Sequence, residues 1–142
     1  ALVDELQQMV HRSYGLILLC GPTGSGKTTT LHSLLAEVNH PDTKIWTAED
    51  PIEITHHGLR QIQMHPRIGL TFAAAMRAFL RADPDALMVG EMRASETAHI
   101  SIEASLTGHM VMSTLHTHSA PESVIHLLDM GLDQRSVRGA CS

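Results

Sequence analysis

Apolar residues along this chain follow two spacings that take turns. Short and nearly unbroken apolar runs occur at 14–20 (YGLILLC), 44–48 (KIWTA), 86–89 (ALMV) and 109–113 (HMVMS). Runs of that length, bounded by turn residues, have the character of strands covered on both faces of a parallel sheet. Between them, apolar residues recur every three or four positions, as Leu31, Leu34, Leu35 and Val38, then Phe72, Ala75, Met76, Phe79 and Leu80, then Ala98, Ile100, Ile102, Ala104 and Leu106. This spacing predicts helices over 29–38, 72–81 and 96–106, with Thr71 and Ser95 as N-caps. Strands alternating with helices imply an α/β fold with helices on both faces of the sheet. Leu2, Val3, Leu6, Met9 and Val10 predict an opening helix, and the capping box from Ser119 to Glu122 predicts another that ends near Met130. Residues 58–64 (GLRQIQM) alternate like a short hairpin arm, and 134–142 read as a polar tail without an element.

The junction between the first run and the first helix carries chemistry. Gly21, Pro22, Thr23, Gly24, Ser25, Gly26, Lys27 and Thr28 fit G-x-x-x-x-G-K-[ST], and Thr29 and Thr30 follow. In that loop the backbone N–H groups wrap a nucleotide's phosphates, the lysine reaches the β- and γ-phosphates, and the threonine hydroxyl meets Mg²⁺. A strand before it and a helix after it are the context the motif requires.

Acids stand where such a loop needs them. Glu49, Asp50 and Glu53 follow the second apolar run, and Glu91 follows the third. Ligands of open parallel sheets sit outside the carboxyl ends of the strands, so these acids are expected to face the crevice of Lys27, holding Mg²⁺ or orienting water. Arg77 and Arg81, four apart on one helix face, read either as solvated arginines or as clamps on phosphate or subunit contacts.

Composition narrows the partners. The 142 residues make one domain, and with one Trp, one Tyr and two Phe its core must come from Leu, Ile, Val, Met and Ala. A net charge of −5 argues against a nucleic-acid surface. No apolar run reaches the length of a membrane span, so direct membrane insertion is not expected. The eleven histidines include the pairs His56-His57 and His116-x-His118, but neither has the cysteine neighbours or helical spacing of a zinc set. Cys20 and Cys141 show no metal or redox spacing, and a reducing cytosolic setting is the default.

Four stretches in one order, GPTGSGKTTT, TAEDPIE, LRADPDALMVGEMR and TGHMVMSTLHTHSA, resemble the secretion ATPases that assemble type II secretion pseudopili and type IV pili. The stretch from GLRQIQM to RADPD is more similar to the secretion and pilus-assembly branch than to the retraction branch. The resemblance covers almost the whole chain and implies a RecA-like P-loop NTPase motor domain, a three-layer sheet with helices on both faces, using ATP and Mg²⁺. It implies phosphate binding by Gly21 to Thr29, an acidic box at Glu49, Asp50 and Glu53, and a Walker B glutamate at Glu91 that activates water. Thr28, Asp50 and Glu91 would hold Mg²⁺, partly through water. Arg77 and Arg81 match arginines near the nucleotide or a subunit boundary, and His109 and His116 match the family's histidine box. The implied assembly is a homo-hexamer on inner-membrane platform proteins, cytoplasmic and peripheral to the membrane. Residues 1–142 then read as a motor-domain fragment without the family's N-terminal domain and tetracysteine zinc module. Ala94 stands where the family usually has Asp, His118 where Asn is common, and Cys20 where Thr is common. The loss of the carboxylate at Ala94 keeps a second reading open, a nucleotide-responsive scaffold with little turnover.

Overall fold

In the computed structural model, described for residues 14–21, 26–92 and 95–115 and for the backbone of 138–141, each apolar run becomes a strand. These are β1 (Gly15–Cys20), β2 (Ile45–Glu49), β4 (Ala86–Val89) and β5 (Met110–Leu115), joined by β3 (Arg60–Gln63) and β6 (Arg138–Cys141). The helices are α1 (Lys27–Val38), α2 (Phe72–Ala82) and α3 (Ser95–Leu106). Thr71 caps α2 as its sequence position predicts, its hydroxyl accepting from the Ala74 N–H at 3.3 Å.

Successive residues of a strand face opposite sides, and β1 shows what that does here. Leu16, Leu18 and Cys20 pack with Met76 and Phe79 of α2 and with Ala98 and Ile102 of α3. Ile17 and Leu19 pack with Leu31, Leu34, Leu35 and Val38 of α1. Two apolar layers thus cover one sheet, giving the expected three-layer α/β architecture.

The sheet order is β3-β2-β4-β5-β1-β6, and every neighbouring pair is parallel. All strand C-termini therefore lie along one edge. Strand β5 stands between β1, which leads into the phosphate loop, and β4, which leads to Glu91. Two inter-strand spacings, roughly 10 Å, separate those two exits.

Two expectations fail. Residues 58–64 do not form a hairpin arm: β3 pairs in parallel with β2, from Trp46↔Arg60 to Glu49↔Gln63. Alternation reports which residues share a face but not which way a strand runs, and an exposed edge strand alternates in either direction. Nor is 134–142 without an element, since Arg138–Cys141 joins the free edge of β1, from Ile17↔Arg138 to Cys20↔Cys141. A strand reading RGAC has no apolar pattern of its own; the edge supplies its pairing. The opening helix, the helix predicted after Ser119, and His116 lie outside the described residues.

Phe79 is 1% exposed and meets Trp46 with ring centroids 5.2 Å apart. Phe79→Ala is expected to lower stability by about 3–5 kcal/mol, read from the urea midpoint at unchanged slope. A variant as stable as the parent would contradict this core.

Candidate nucleotide site

The site is assembled from four strand exits. The N–H of Gly21 donates to the Leu115 carbonyl at 3.3 Å, which keeps the end of β1 stitched to that of β5. Gly26 enters α1 at φ 87°, a left-handed conformation that glycine adopts without the steric cost of a Cβ. Lys27 is then the first helical residue, and its Nζ donates to the Gly21 carbonyl and to the Leu115 carbonyl, the latter at 3.3 Å. The ammonium thus sits over the gap between two strand ends. Burial lowers the Lys27 pKa from its ordinary 10.5, and the nearby negative charge of Glu91 opposes that shift.

The exit of β4 is held on both sides. The Gly90 N–H donates to the Ala48 carbonyl at 2.8 Å. A Cβ at Gly90 would meet that same oxygen at 3.3 Å, so the glycine lets β4 close on β2. From β5, the Thr114 hydroxyl donates to the Gly90 carbonyl at 2.7 Å, and the Met92 N–H donates to the Thr114 carbonyl at 3.1 Å. Glu91 lies half-buried between these two tied residues.

At the exit of β2, Glu49 is only 4% exposed. Its Oε2 accepts from the Thr47 hydroxyl at 2.8 Å and from Gln61 Nε2 at 3.0 Å. Its Oε1 lies 3.2 Å from His32 Nε2, without the alignment of a hydrogen bond. The His32 ring stacks on His56, with centroids 4.8 Å apart. Asp50 and Glu53, by contrast, are exposed.

One open cleft of about 520 Å³ brings these groups together. Lys27, Thr28 and Thr29 line it from α1, Glu49, Asp50 and Glu53 from the exit of β2, Glu91 from that of β4, and Thr114 from β5. Gly26 also lines it, Gly21 lies buried at its β1 end, and Pro22, Thr23, Gly24 and Ser25 lie outside the described residues.

Three expected site residues do not reach it. His109 precedes β5 at the opposite end of the sheet from Thr114, roughly 16 Å away at the rise of a strand. There its Nδ1 meets the Ala104 carbonyl and its Nε2 meets Asp83 Oδ1, each at 3.1 Å, so it ties the end of α3 to the end of α2. Arg77 pairs with Glu96 of α3 on the outer surface, with both side chains more than half exposed. Arg81, also exposed, lies in the last turn of α2 and does not line the cleft.

Conversely, the structure adds Thr114, His32 and Gln61. His32 carried a signal, being the polar residue among Leu31, Leu34 and Leu35 on the buried face of α1. Thr114 and Gln61 carried none, because a hydroxyl in a buried strand and an amide on an edge strand are both commonplace.

Several carboxylates beside one ammonium would repel a bare triphosphate; a divalent cation between them reverses that balance. The donors suit Mg²⁺, being the hydroxyl of Thr28 and the carboxylates of Asp50 and Glu91. Among the described residues no three His, Cys, Asp or Glu converge on a point, as a dedicated protein cage would require. Mg²⁺ ordinarily takes one or two carboxylates and completes its shell with water and substrate phosphates.

Residues 1–141 match the family described as type II/IV secretion system protein. The chain is 57% identical over 127 residues to the type IV pilus assembly ATPase PilB of Myxococcus xanthus, covering 89% of this chain and 22% of that protein. It is 52% identical over 130 residues to the type II secretion system ATPase E of Vibrio cholerae, covering 92% of this chain and 26% of that protein. Among solved structures, the pilus retraction motor PilT with bound ADP aligns at a TM-score of 0.82 and 38% identity, covering 94% of this chain and 40% of that one. The chain thus spans about a quarter of the length of these curated relatives.

A lysine side chain attracts phosphate only while protonated. The lowered pKa of Lys27 means that nucleotide affinity is expected to be highest near neutral pH and to fall as pH rises through that value towards 10.5. Because the unfolded chain holds this proton more tightly, the nucleotide-free protein gains stability over the same window. Titration of a fluorescent ATP analogue at stepped pH checks the affinity, with Lys27→Met weak and nearly independent of pH. A parent affinity that stays flat across the window would contradict the assignment.

Proposed function

The chain belongs to the type II/IV secretion system protein family, and on that premise we propose that it is the nucleotide-handling core of an Mg²⁺-dependent ATPase motor that powers type II secretion or type IV pilus assembly. The observation that carries this reading is the single cleft in which Lys27 and Thr28 face Asp50, Glu53 and Glu91. Glu91, tied through Gly90 and Met92 to Thr114, is the water activator in this reading, and Lys27 leaves its two carbonyls for the phosphates. Bound Mg²⁺ would neutralise charge on the phosphates, with Thr28, Asp50 and Glu91 as its protein contacts, partly through water. Glu53 stands at the cleft mouth, where it can orient water.

The working assembly in this reading is a homo-hexamer at the cytoplasmic face of the inner membrane, docked on platform proteins there. Among the described residues no helix is long and apolar enough to cross a membrane. One feature of the sequence favours the scaffold reading for the chain by itself: Ala94 stands where a carboxylate is usual in the family. Arg77 and Arg81 lie on an outer helix, where they can serve a neighbouring subunit. Hydrolysis then depends on assembly.

Steady-state phosphate release, measured over a range of protein concentrations, tests both readings. Lys27→Ala is expected to abolish nucleotide binding, and Glu91→Gln to keep binding while lowering turnover about 10²–10⁴-fold. Turnover indifferent to both changes would overturn the motor reading. Nucleotide binding without turnover at any concentration would favour the scaffold.

A further inference from the structure

The acidic segment 50–58 has no regular structure, yet it is pinned at four backbone groups, each by a side-chain amide. Gln63 Oε1 accepts from the Ile52 N–H at 3.3 Å, and Asn39 Nδ2 donates to the His57 carbonyl at 2.7 Å. Gln61 does the most. Its Nε2 donates to the Ile54 carbonyl at 2.8 Å and to Glu49 Oε2 at 3.0 Å, while its Oε1 accepts from the His56 N–H at 2.8 Å. The orientation of that amide is forced, because a flip would set its oxygen against two acceptors and its NH₂ against a donor.

This arrangement bears on Glu49. One of its oxygens takes two hydrogen bonds, the other lies against His32, and the residue is buried, whereas Asp50 and Glu53 at the same strand exit are exposed. A general base needs a lone pair within reach of the proton it removes. Although Glu49 lines the cleft, its Oε2 is taken by two hydrogen bonds from the fold and its Oε1 is crowded by His32.

We propose that Gln61 is a positioning residue that clasps segment 50–58 to Glu49, and that Glu49 serves as the anchor of this clasp while Asp50, Glu53 and Glu91 meet the metal, water and phosphates. The consequence for turnover rests on the ATPase reading above; the clasp itself rests on geometry alone. Its removal frees the segment that carries Asp50 and Glu53, so it acts on the chemical step more than on phosphate binding by the loop at Lys27.

Three variants test this: Gln61→Leu, Gln61→Glu, and the exchanged pair Glu49→Gln with Gln61→Glu. Amide hydrogen exchange reads the clasp without any need for activity. Gln61→Leu is expected to speed exchange of the His56 amide at least about tenfold while α3 amides keep their protection, as for a local opening. Gln61→Glu places a second carboxylate against Glu49 and is expected to lower kcat about tenfold or more with KM for ATP changed much less. The exchanged pair restores the bond between positions 49 and 61 and keeps an acceptor for the His56 N–H, leaving only the Ile54 carbonyl without its donor, and is expected to recover at least about fivefold of that kcat although the carboxylate has left position 49. A His56 amide as protected in Gln61→Leu as in the parent would overturn the clasp. Restored His56 protection in the exchanged pair without restored turnover would overturn the anchor role and return Glu49 to the reacting groups. If the parent shows no hydrolysis, the ATPase reading fails while the exchange measurement still decides the clasp.

Discussion

Everything in the cleft depends on strands that all point the same way. Because each neighbouring pair is parallel, β1, β5, β4 and β2 release their chains at one edge, and residues as distant in sequence as Lys27, Glu49, Glu91 and Thr114 converge there. Backbone and hydroxyl hydrogen bonds lace these exits together, from Gly21 to Leu115, from Thr114 to Gly90 and from Gly90 to Ala48. The lacing fixes the acids relative to the lysine. With β5 as a spacer, the lysine and Glu91 line one cleft from two different strand exits.

The electrostatics of the cleft follow from that spacing. Lys27 is partly desolvated, and its proton is held less tightly for that reason, with the field of Glu91 compensating only in part. Two carbonyl oxygens occupy its donors. They hold the ammonium at the place where phosphate oxygens would take over, so binding exchanges neutral acceptors for charged ones. A cation arriving with the substrate would offset the negative charge of Asp50, Glu53 and Glu91, which would repel a substrate arriving without one. Glu49 is hydrogen-bonded by the fold itself, from Thr47 and Gln61.

Legibility in the sequence tracked how local each determinant was. The strand before the phosphate loop, the helix after it and the N-cap of α2 were readable because turn chemistry and side-chain periodicity act over a few residues. Strand direction and sheet order are long-range, which is why β3 passed for a hairpin arm and β6 for a tail. The rule that ligands sit outside the carboxyl ends of parallel strands put Glu91 and the acids of segment 49–53 at one crevice, where the cleft gathers them, and roles for them came from the family resemblance. That resemblance also drew in His109, whose position in a recognisable motif said nothing about which end of β5 it occupies; its contacts to Ala104 and Asp83 make it a tie between helix ends. Gln61 was invisible because the meaning of a polar residue on an edge strand lies in the loop folded over it.

A crystal structure with Mg²⁺ and a non-hydrolysable ATP analogue measures the central claim most directly. The account predicts that Lys27 Nζ leaves the Gly21 and Leu115 carbonyls for the terminal phosphates, with Thr28 on the metal and Glu91 facing the water in line with the γ-phosphate. A nucleotide bound elsewhere, or a Lys27 still held by those two carbonyls beside a bound triphosphate, would contradict it.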